Sequence, residues 1–549
     1  MWRRDRQAAR VKNVARLEFT FRTFTTDTTA KIVVISPVDD SDPTISGVNV
    51  DTPSAVSVGR DGVGGITDSA GTKAVALYSW TFTVSDTLVP NIDYPITVTK
   101  GTTSISGTIR TQPSEEDFTL FFVSCDGRTN QTETTAKGCY GYIREVAESE
   151  NVRAIIHCDD HGYVDGESTT VAATALDEDG NDVSLFAISG DTEYTFAVAY
   201  AMYLGLIDEG THGHDVDRQW CHQNLPVICG VGDHELANNP ETKSTITAAM
   251  LADSKYAFMN TIGAAQEYVS ATNAYANIVW HSGPIEVISY DRLWGLTAET
   301  RVYDDGEATQ ASDGEEWLGS TQINEILAEI DSTSPFKLLA MSTDAVYLMD
   351  QTDRLAALSA AGLSPDLGTQ WSASAFLGGQ QPLHDYTDAL AKSEWANMAY
   401  DKTLGSIATV AQSYGSVLFG CHGDMHRPTV KYNYHGENAD DSQLSMYQFG
   451  SGSVNKRAAQ SLHPAIVEGT SRLGSHLMYV PDWIKRTDGI GTGVNSCIRI
   501  DGAKVQGAWQ LNIQIQEVDE TTNTPTTVYS HTLKHGVSNA PEYLRRGFI

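Results

Sequence analysis

Three segments that lie far apart in the chain each place His, Cys, Asp or Glu side chains directly after a run of apolar residues. They are residues 155–163, 227–235 and 417–426. Imidazole, thiolate and carboxylate groups are the ligands that proteins offer to metal ions. Because functional groups gather outside the carboxyl ends of neighbouring strands, this pattern predicts a dinuclear metal centre at one edge of a sheet.

A centre of this kind suits the hydrolysis of phosphoesters. Metal ions lower the pKa of bound water, and a pair about 3.5–4 Å apart also clamps the attacking and leaving oxygens. From their positions at the predicted strand ends, we expect ligands at Asp160, Asp233, Asp424 and His426. His234 directly follows Asp233, so its imidazole can face the leaving group as a proton donor while Asp233 holds a metal ion.

The composition excludes several classes of function. A net charge of −33, from 37 Lys and Arg against 70 Asp and Glu, argues against a nucleic-acid-binding surface. The seven cysteines are irregularly spaced and include no Cys-x-x-Cys pair, so we expect neither a disulfide framework nor a structural zinc knuckle. No stretch approaches the roughly 20 apolar residues of a membrane span.

The start of the chain does not indicate a cellular compartment. Residues 1–13 are predicted to form an N-terminal arm, and the twin-Arg pair Arg3 and Arg4 is not followed by an apolar stretch. No signal peptide is therefore visible. The residues alone leave the compartment undetermined.

Three further regions follow the arm. Short strands rich in β-branched and aromatic residues across 14–112 predict an immunoglobulin-like β-sandwich, with the role of a spacer or lid favoured over that of a binding module. Across 113–430, apolar strands alternate with helical stretches, which is typical of an α/β core whose strands are buried on both faces. Residues 431–549 predict a C-terminal β-rich region that completes or flanks this core.

The elements of the core can be placed approximately. Predicted strands are 118–124, 153–158, 227–231, 285–290, 337–341 and 416–419, and predicted helices are 192–207, 242–261, 321–330 and 385–413. Three of these strands, 153–158, 227–231 and 416–419, end within or just before the three segments of potential ligands, so the sheet is expected to position those ligands.

Several motifs resemble one known family. Residues 232–235 (Gly-Asp-His-Glu), followed by two Asn, are similar to the Asp-His-Glu…Asn-Asn block of the PhoD-like alkaline phosphatases, members of the calcineurin-like metallophosphoesterase superfamily. Four other blocks fall into the family's order: residues 123–125 (Val-Ser-Cys), 155–163 (its His-x-Gly-Asp-x-x-Tyr block), 318–322 (Leu-Gly-x-x-Gln) and 423–426 (Gly-Asp-x-His). The resemblance covers about residues 105–430.

The resemblance implies a fold and an activity. The fold would be a metallophosphoesterase four-layer β-sandwich core flanked by helices, with an N-terminal immunoglobulin-like domain. The activity would be that of a phosphomonoesterase or phosphodiesterase in which metal-activated water attacks phosphorus directly and His234 protonates the leaving oxygen. The expected partner is a phosphoester substrate.

The resemblance also implies a ligand set and two ions. The ligands would be Cys125, Asp160, Tyr163, Asp233, Asp424 and His426, with Asp160 as a bridge between a ferric ion and calcium. The donor chemistry supports this choice, because phenol and thiol, with reference pKa values of about 10 and 8.5, need a strongly charged and partly soft ion to be held as anions. The hard carboxylates suit calcium. Other divalent metals stay open.

The chain departs from the family's pattern at three positions. The family's Gly before the bridging Asp is Asp159 here, so whether Asp159 or Asp160 binds metal is open, and an extra carboxylate could recruit another cation. His161 and His422 add two imidazoles near the site, either as donors to phosphate or as ligands.

A rival hypothesis comes from another class of protein. The chain could be a structural or adhesive protein, for example a viral particle component, that uses the phosphoesterase fold as a scaffold. The flanking β-regions and the absence of a visible signal peptide favour it. Under this hypothesis the protein would be associated with a virion and would assemble into an oligomer or particle. The resemblance to the family implies instead an extracellular or periplasmic enzyme.

Overall fold

Sheets dominate this mixed α/β protein, and helices are few. The computed structural model describes residues 19–36, 41–53, 55–58, 77–126, 138–161, 174–176, 182–184, 200, 203–204, 206, 216–236, 248–270, 275–291, 320–342, 405–423, 428–435, 446–452, 454, 469–473, 476–480, 494–519 and 522–539. The predicted arm, residues 1–13, lies outside this part of the chain.

Seven strands precede the core. They are β1 (Thr20–Thr25), β2 (Ala30–Ser36), β3 (Thr44–Ser46), β4 (Ala55–Val58), β5 (Leu77–Thr83), β6 (Asp93–Lys100) and β7 (Thr103–Arg110). They form a four-stranded sheet ordered β1-β2-β5-β4 and a three-stranded sheet ordered β3-β6-β7. Apolar side chains from both sheets share one core, among them Phe21, Trp80 and Val98. The immunoglobulin-like type predicted for this region stays a prediction.

The next part of the chain alternates strands and helices. Its elements are β8 (Phe118–Val123), α1 (Tyr140–Ser149), β9 (Val152–His157), β10 (Thr174–Leu176), β11 (Asp182–Ser184), α2 (Val216–Asn224), β12 (Val227–Cys229), α3 (Ala248–Met259), β13 (Ile278–Ser282) and β14 (Ile285–Ser289). A 3₁₀ turn, Asp233–Glu235, follows β12.

Strands dominate the last part of the chain. Its elements are α4 (Ser320–Glu329), β15 (Phe336–Met341), α5 (Gly405–Ser413), β16 (Val417–His422), β17 (Pro428–His435), β18 (Met446–Ser451), β19 (Gly469–Leu473), β20 (His476–Val480), β21 (Val494–Val505), β22 (Ala508–Asp519) and β23 (Pro525–Lys534).

The first of the two large sheets has the order β12-β9-β8-β21-β22-β23. Strands β8, β9 and β12 run parallel, with His157 level with both Val123 and Cys229. The three strands therefore end side by side, and the residues that follow them are neighbours in space. Strand β21 pairs with β8 in the antiparallel direction, so C-terminal residues complete this sheet.

The second large sheet has the order β13-β14-β15-β16-β18-β17-β20-β19. Strands β14, β15 and β16 are parallel, and β16 ends at His422. A parallel bridge between Val231 and Asp291 joins the segments that follow β12 and β14. The carboxyl ends of the parallel strands of both sheets thus border a common region.

Burial on both faces explains why the core strands are mostly apolar. Along β15, Phe336 and Leu338 belong to the core that the two large sheets share. Their neighbour Leu339 belongs to a second core, with Ile326 of α4 and Ile407 of α5. Because successive side chains of a strand point to opposite faces, a strand buried on both faces is a nearly continuous run of apolar residues.

The predicted elements of the core agree with these bounds to within a few residues. All six predicted strands exist, whereas α1, α2, β10, β11 and β13 were not predicted. Much of 192–207 and of 385–413 lies outside the described residues, although α5 occupies the end of the latter range. The four-layer layout stays a prediction. Within the part of the chain that the structure describes, no helix combines the length and apolar character needed to cross a bilayer.

Candidate metal centre

The segments that follow β8, β9 and β12 are tied together by backbone hydrogen bonds. The Asp126 amide donates to the carbonyl of Asp160 at 3.1 Å, and the Gly230 amide donates to that of His157 at 2.8 Å. These bonds continue the sheet past the last paired residues of the strands. They hold Cys125 and Asp160, two of the predicted ligands, on adjoining segments.

Both of these residues have an unusual backbone conformation. Cys125 has φ = 55° and Asp160 has φ = 53°, in the left-handed region. Non-glycine residues are uncommon there, and each such residue costs about 1–3 kcal/mol. Strain of this kind collects at functional sites, where the surrounding structure holds side chains in one required direction.

The structure brings three potential ligands together. One ligand atom from each of Cys125, Asp159 and Asp160 lies within 4.8 Å of the other two, and all three residues are completely buried. A thiol and two carboxylates combine soft and hard donors, which is the donor chemistry expected for iron with calcium. The chemistry of these three residues therefore fits a metal ion, whereas the identity of the ions and the other ligands stay predictions.

Two glycines allow the segments that lead to Asp233 and Asp424 to approach this cluster. A β-carbon on Gly423 would lie 2.3 and 2.4 Å from the two carboxylate oxygens of Asp159, and one on Gly232 would lie 2.6 Å from Oδ1 of Asp160. Real β-carbons do not approach other atoms so closely, so only glycine fits at either position. Each glycine directly precedes a predicted ligand, Asp424 or Asp233.

The other predicted site residues can be placed only in part. Asp233 begins the 3₁₀ turn, but its side chain lies outside what the structure describes. Tyr163, Asp424 and His426 also lie outside the described residues. His234, the predicted proton donor, follows Asp233 in the turn and is only 4% exposed. The roles of all these residues remain predictions.

Cys158 is a second thiol at the cluster. Its Sγ donates a hydrogen bond to Oδ1 of Asp159 at 3.1 Å. Burial raises the pKa of the Cys158 thiol well above its ordinary value, and the neighbouring Asp159 carboxylate raises this pKa further. Cys158 therefore stays protonated and acts as a donor to Asp159.

Glu235 organises the site, and the sequence analysis assigned it no role. Its buried carboxylate accepts backbone amide hydrogen bonds from Asp160 at 3.1 Å, His161 at 2.5 Å and Gly232 at 2.7 Å. The same turn that carries Asp233 and His234 thus anchors the segment that carries Asp160. The only hint in the sequence was the Glu that ends the Gly-Asp-His-Glu block.

Replacing Glu235 with glutamine is expected to lower kcat/KM for phosphoester hydrolysis about 10–100-fold, the usual effect of losing a group that orients ligands. A glutamine can accept through only one atom, so its NH2 group would face the amide of His161 or those of Asp160 and Gly232. The measurement is steady-state kinetics on purified protein whose folding is checked by circular dichroism.

Glu286→Gln is the matched control for this change. Glu286 is also a buried carboxylate that accepts a backbone amide, that of Asp331 at 2.7 Å, but it lies at the amino end of β14, away from the cluster. We expect Glu286→Gln to lose stability and keep kcat/KM within about threefold of the wild type. Equal losses of activity in the two variants would show that Glu235 does not position the ligands.

An ion pair fixes the residue that follows Cys125. The buried Asp126 carboxylate accepts hydrogen bonds from Tyr140 Oη at 3.0 Å and from Arg218 Nη1 at 3.3 Å. Arg218 also lies over the ring of Tyr203, 4.8 Å from its centroid. Asp126 is therefore held by residues of helices α1 and α2.

The extra histidines of this region are buried core residues. The ring of His161 lies 3.9 Å from that of His157 and 5.9 Å from Phe258, and its Nε2 is 3.1 Å from the carbonyl oxygen of Gly230. Burial lowers the pKa of His157 to about 3 and that of His161 well below its ordinary value. The His161 ring thus packs among buried aromatic rings, and its role as a donor to phosphate or as a ligand stays a prediction.

His422 has a similar character. It is completely buried at the end of β16, and its Nδ1 lies 3.2 Å from the carbonyl oxygen of Gly423. Burial lowers the pKa of His422 to about 4, so its imidazole is neutral at physiological pH. This contact braces the glycine that approaches Asp159.

Two glutamines hold the backbone of strand ends near the site. The amide group of Gln266 binds both the N–H and the C=O of Cys229, and that of Gln322 binds both the N–H and the C=O of Asp291. Gln322 is the glutamine of the Leu-Gly-x-x-Gln block. Because an amide supplies one donor and one acceptor, it can replace a missing neighbouring strand at these positions.

A second group of potential ligands lies at the amino ends of the strands. It consists of His281, Glu286 and Asp331. Here Lys337 donates to Glu286, and its Nζ is 2.6 Å from the carbonyl oxygen of Asp331. An ammonium group already balances these carboxylates, so this group is a structural ion-pair network.

The comparison with solved structures indicates the fold, and the other two comparisons found no match. The sequence matches none of the family models, and no curated protein matches it at a significant level. A solved structure described as a structure of PhoD resembles this chain with a TM-score of 0.53 and 13% sequence identity, over 94% of this chain and 90% of that one. At this identity the likeness shows a PhoD-like fold and leaves catalytic function open.

Proposed function

We propose that this protein is a metal-dependent phosphoester hydrolase of the PhoD-like kind, a phosphomonoesterase or phosphodiesterase. The single observation that carries the proposal is the buried cluster of Cys125, Asp159 and Asp160 at the ends of two adjoining parallel strands. Two of these residues were predicted as ligands from the sequence. The PhoD-like fold supports the same conclusion.

The proposed ligands come from four segments of the chain. They are Cys125, Asp160, Tyr163, Asp233, Asp424 and His426, with Asp160 as the bridge. When bound, iron and calcium would supply an activated water and positive charge to neutralise the phosphate. Gly232 and Gly423 support this set, because their close approach to Asp160 and Asp159 brings the backbone before Asp233 and Asp424 to the cluster.

The protein's own residues supply proton transfer and orientation. His234 would protonate the leaving oxygen, and its place in the Asp233–Glu235 turn fixes it beside a ligand. Glu235 would hold this turn against the segment of Asp160. Because water attacks phosphorus directly, the reaction would proceed in one displacement with inversion at phosphorus.

The test is the hydrolysis of 4-nitrophenyl phosphate and bis(4-nitrophenyl) phosphate by the purified protein. We expect turnover that a chelator abolishes and that added calcium restores, together with a visible charge-transfer band if thiolate and phenolate bind Fe(III). An inert protein whose Asp160→Asn variant assembles normally would contradict the proposal and favour the scaffold hypothesis. An active but colourless, iron-free protein would remove only the ferric assignment.

A further inference from the structure

We propose that a cavity between the N-terminal sheets (β1 to β7) and the core binds a small organic polycation of the polyamine class. The cavity has a volume of about 870 Å³, within the range usual for ligand sites at domain interfaces. Residues of the β1–β2 turn, the connection 112–114, the segment after α3, strand β13 and the end of α4 line it. Gly283, which precedes β14, also lines it, so the cavity lies at the amino end of this strand and the metal centre at the carboxyl edge. The proposal does not depend on phosphoester hydrolysis.

Hydrogen bonds between the walls hold this cavity in shape. The indole N–H of Trp280, in β13, donates to the carbonyl oxygen of Thr25, in β1, at 2.8 Å. The amide of Gly283 donates to the carbonyl oxygen of Pro113, in the connection, at 3.0 Å. The N-terminal sheets, the connection and the core are thus joined on both sides of the cavity. A preformed site binds a ligand without first paying the entropy of ordering its own walls.

The lining of the cavity is acidic. Carboxylates enter it from three separate walls, namely Asp27 in the β1–β2 turn, Glu267 after α3 and Glu329 at the end of α4. Lys31 pairs with Glu267 at 2.9 Å from outside the lining, so it balances one of the three charges. The described residues that line the cavity include no Lys and no Arg. Because a concave site with charge of one sign concentrates counter-ions, the cavity repels phosphate and attracts cations.

Aromatic side chains decide which kind of cation fits. Phe24, Tyr268 and Trp280 line the same cavity as the three carboxylates. Aromatic rings attract ammonium groups and also cover alkyl chains, whereas calcium requires six to eight oxygen ligands close around one point. Rings together with carboxylates on separate walls therefore favour an organic cation over a metal ion. A linear polyamine matches this arrangement, because it carries several ammonium groups along one alkyl chain.

The experiment is a calorimetric titration of the purified full chain with spermidine in about 0.15 M NaCl, which screens attraction by distant surface charges. We expect one site per chain. The double variant Glu267→Gln, Glu329→Gln should raise the Kd for spermidine at least about tenfold. The matched control is the double variant Glu145→Gln, Glu148→Gln, which removes the same charge from two exposed residues of α1 that do not line the cavity. It should bind spermidine with wild-type affinity.

Ser114→Trp tests the cavity without changing its charge. Ser114 is an exposed residue of the lining, and an indole there would occupy part of the cavity while every carboxylate stays in place. We expect this variant to raise the Kd for spermidine at least about tenfold, because the ring collides with the bound chain. Wild-type affinity in Ser114→Trp, or equal weakening in the two glutamine double variants, would show that spermidine responds to the overall negative charge and would overturn the proposal. Binding of the neutral sugar maltotriose in place of spermidine would overturn it as well.

Discussion

Asp160→Asn is expected to lower kcat/KM for phosphoester hydrolysis about 10³-fold, which corresponds to about 4 kcal/mol of transition-state stabilisation. Asp160 is the proposed bridge, and asparagine keeps its shape while removing the charge that holds the ions. The substitution is conformationally mild, because asparagine tolerates the left-handed backbone that Asp160 adopts at φ = 53°. The measurement is kcat/KM together with metal content by elemental analysis.

Asp126→Asn is the control for this substitution, because it removes a buried charge near the cluster and not within it. It removes a buried carboxylate from the residue after Cys125, yet that carboxylate binds Arg218 and Tyr140. We expect it to cost stability, because Arg218 loses its buried partner, while metal content stays normal. If Asp160→Asn retained wild-type metal content and activity, Asp160 could not be the bridge.

For His234→Gln, the expected loss of kcat/KM is about 10²–10⁴-fold on alkyl phosphates, the usual contribution of a positioned general acid. Alkoxide leaving groups need a proton at the transition state, and glutamine cannot supply one. The loss should be at least about tenfold smaller on 4-nitrophenyl phosphate, because nitrophenolate leaves without protonation. The comparison of the two substrates therefore tests whether His234 donates the proton, and not only whether its loss lowers activity.

His281→Gln provides the control for this experiment. His281 lies in β13 beside the ion-pair network at the amino ends of the strands, and it is about half exposed. Its replacement should leave kcat/KM within about twofold on both substrates. An equal loss on alkyl and nitrophenyl substrates in His234→Gln would indicate that His234 orients other groups and does not donate the proton.

Much of the core could be predicted from the sequence because its strands are buried on both faces. The residues of β8, β9 and β15 are all buried and mostly apolar, and such a nearly continuous apolar run can be recognised without knowledge of the neighbours. Helices α1 and α2 were missed because their buried faces include Tyr, Arg, His and Gln, whose burial depends on partners elsewhere in the chain. Composition alone does not reveal such partners.

The ligand candidates could be named from the sequence, but the organising residues could not. Cys125 and Asp160 follow apolar strands, and parallel strands bring their ends together. Glu235 and Asp126 gained their roles only through contacts with distant residues, such as the 75 positions between Glu235 and Asp160 and the 92 between Asp126 and Arg218. No local pattern encodes a hydrogen bond across that separation.

The sequence by itself determined which side chains stand at the ends of strands, because apolar runs and the polar clusters after them are local properties of the chain. The tertiary structure decided which of those ends meet, since the order and register of strands depend on packing between segments hundreds of residues apart. It also decided the conformations of Cys125 and Asp160 and the central place of Asp159. The sequence left Asp159 and Asp160 as alternatives, and only the folded backbone directs one toward Gly423 and the other toward Gly232.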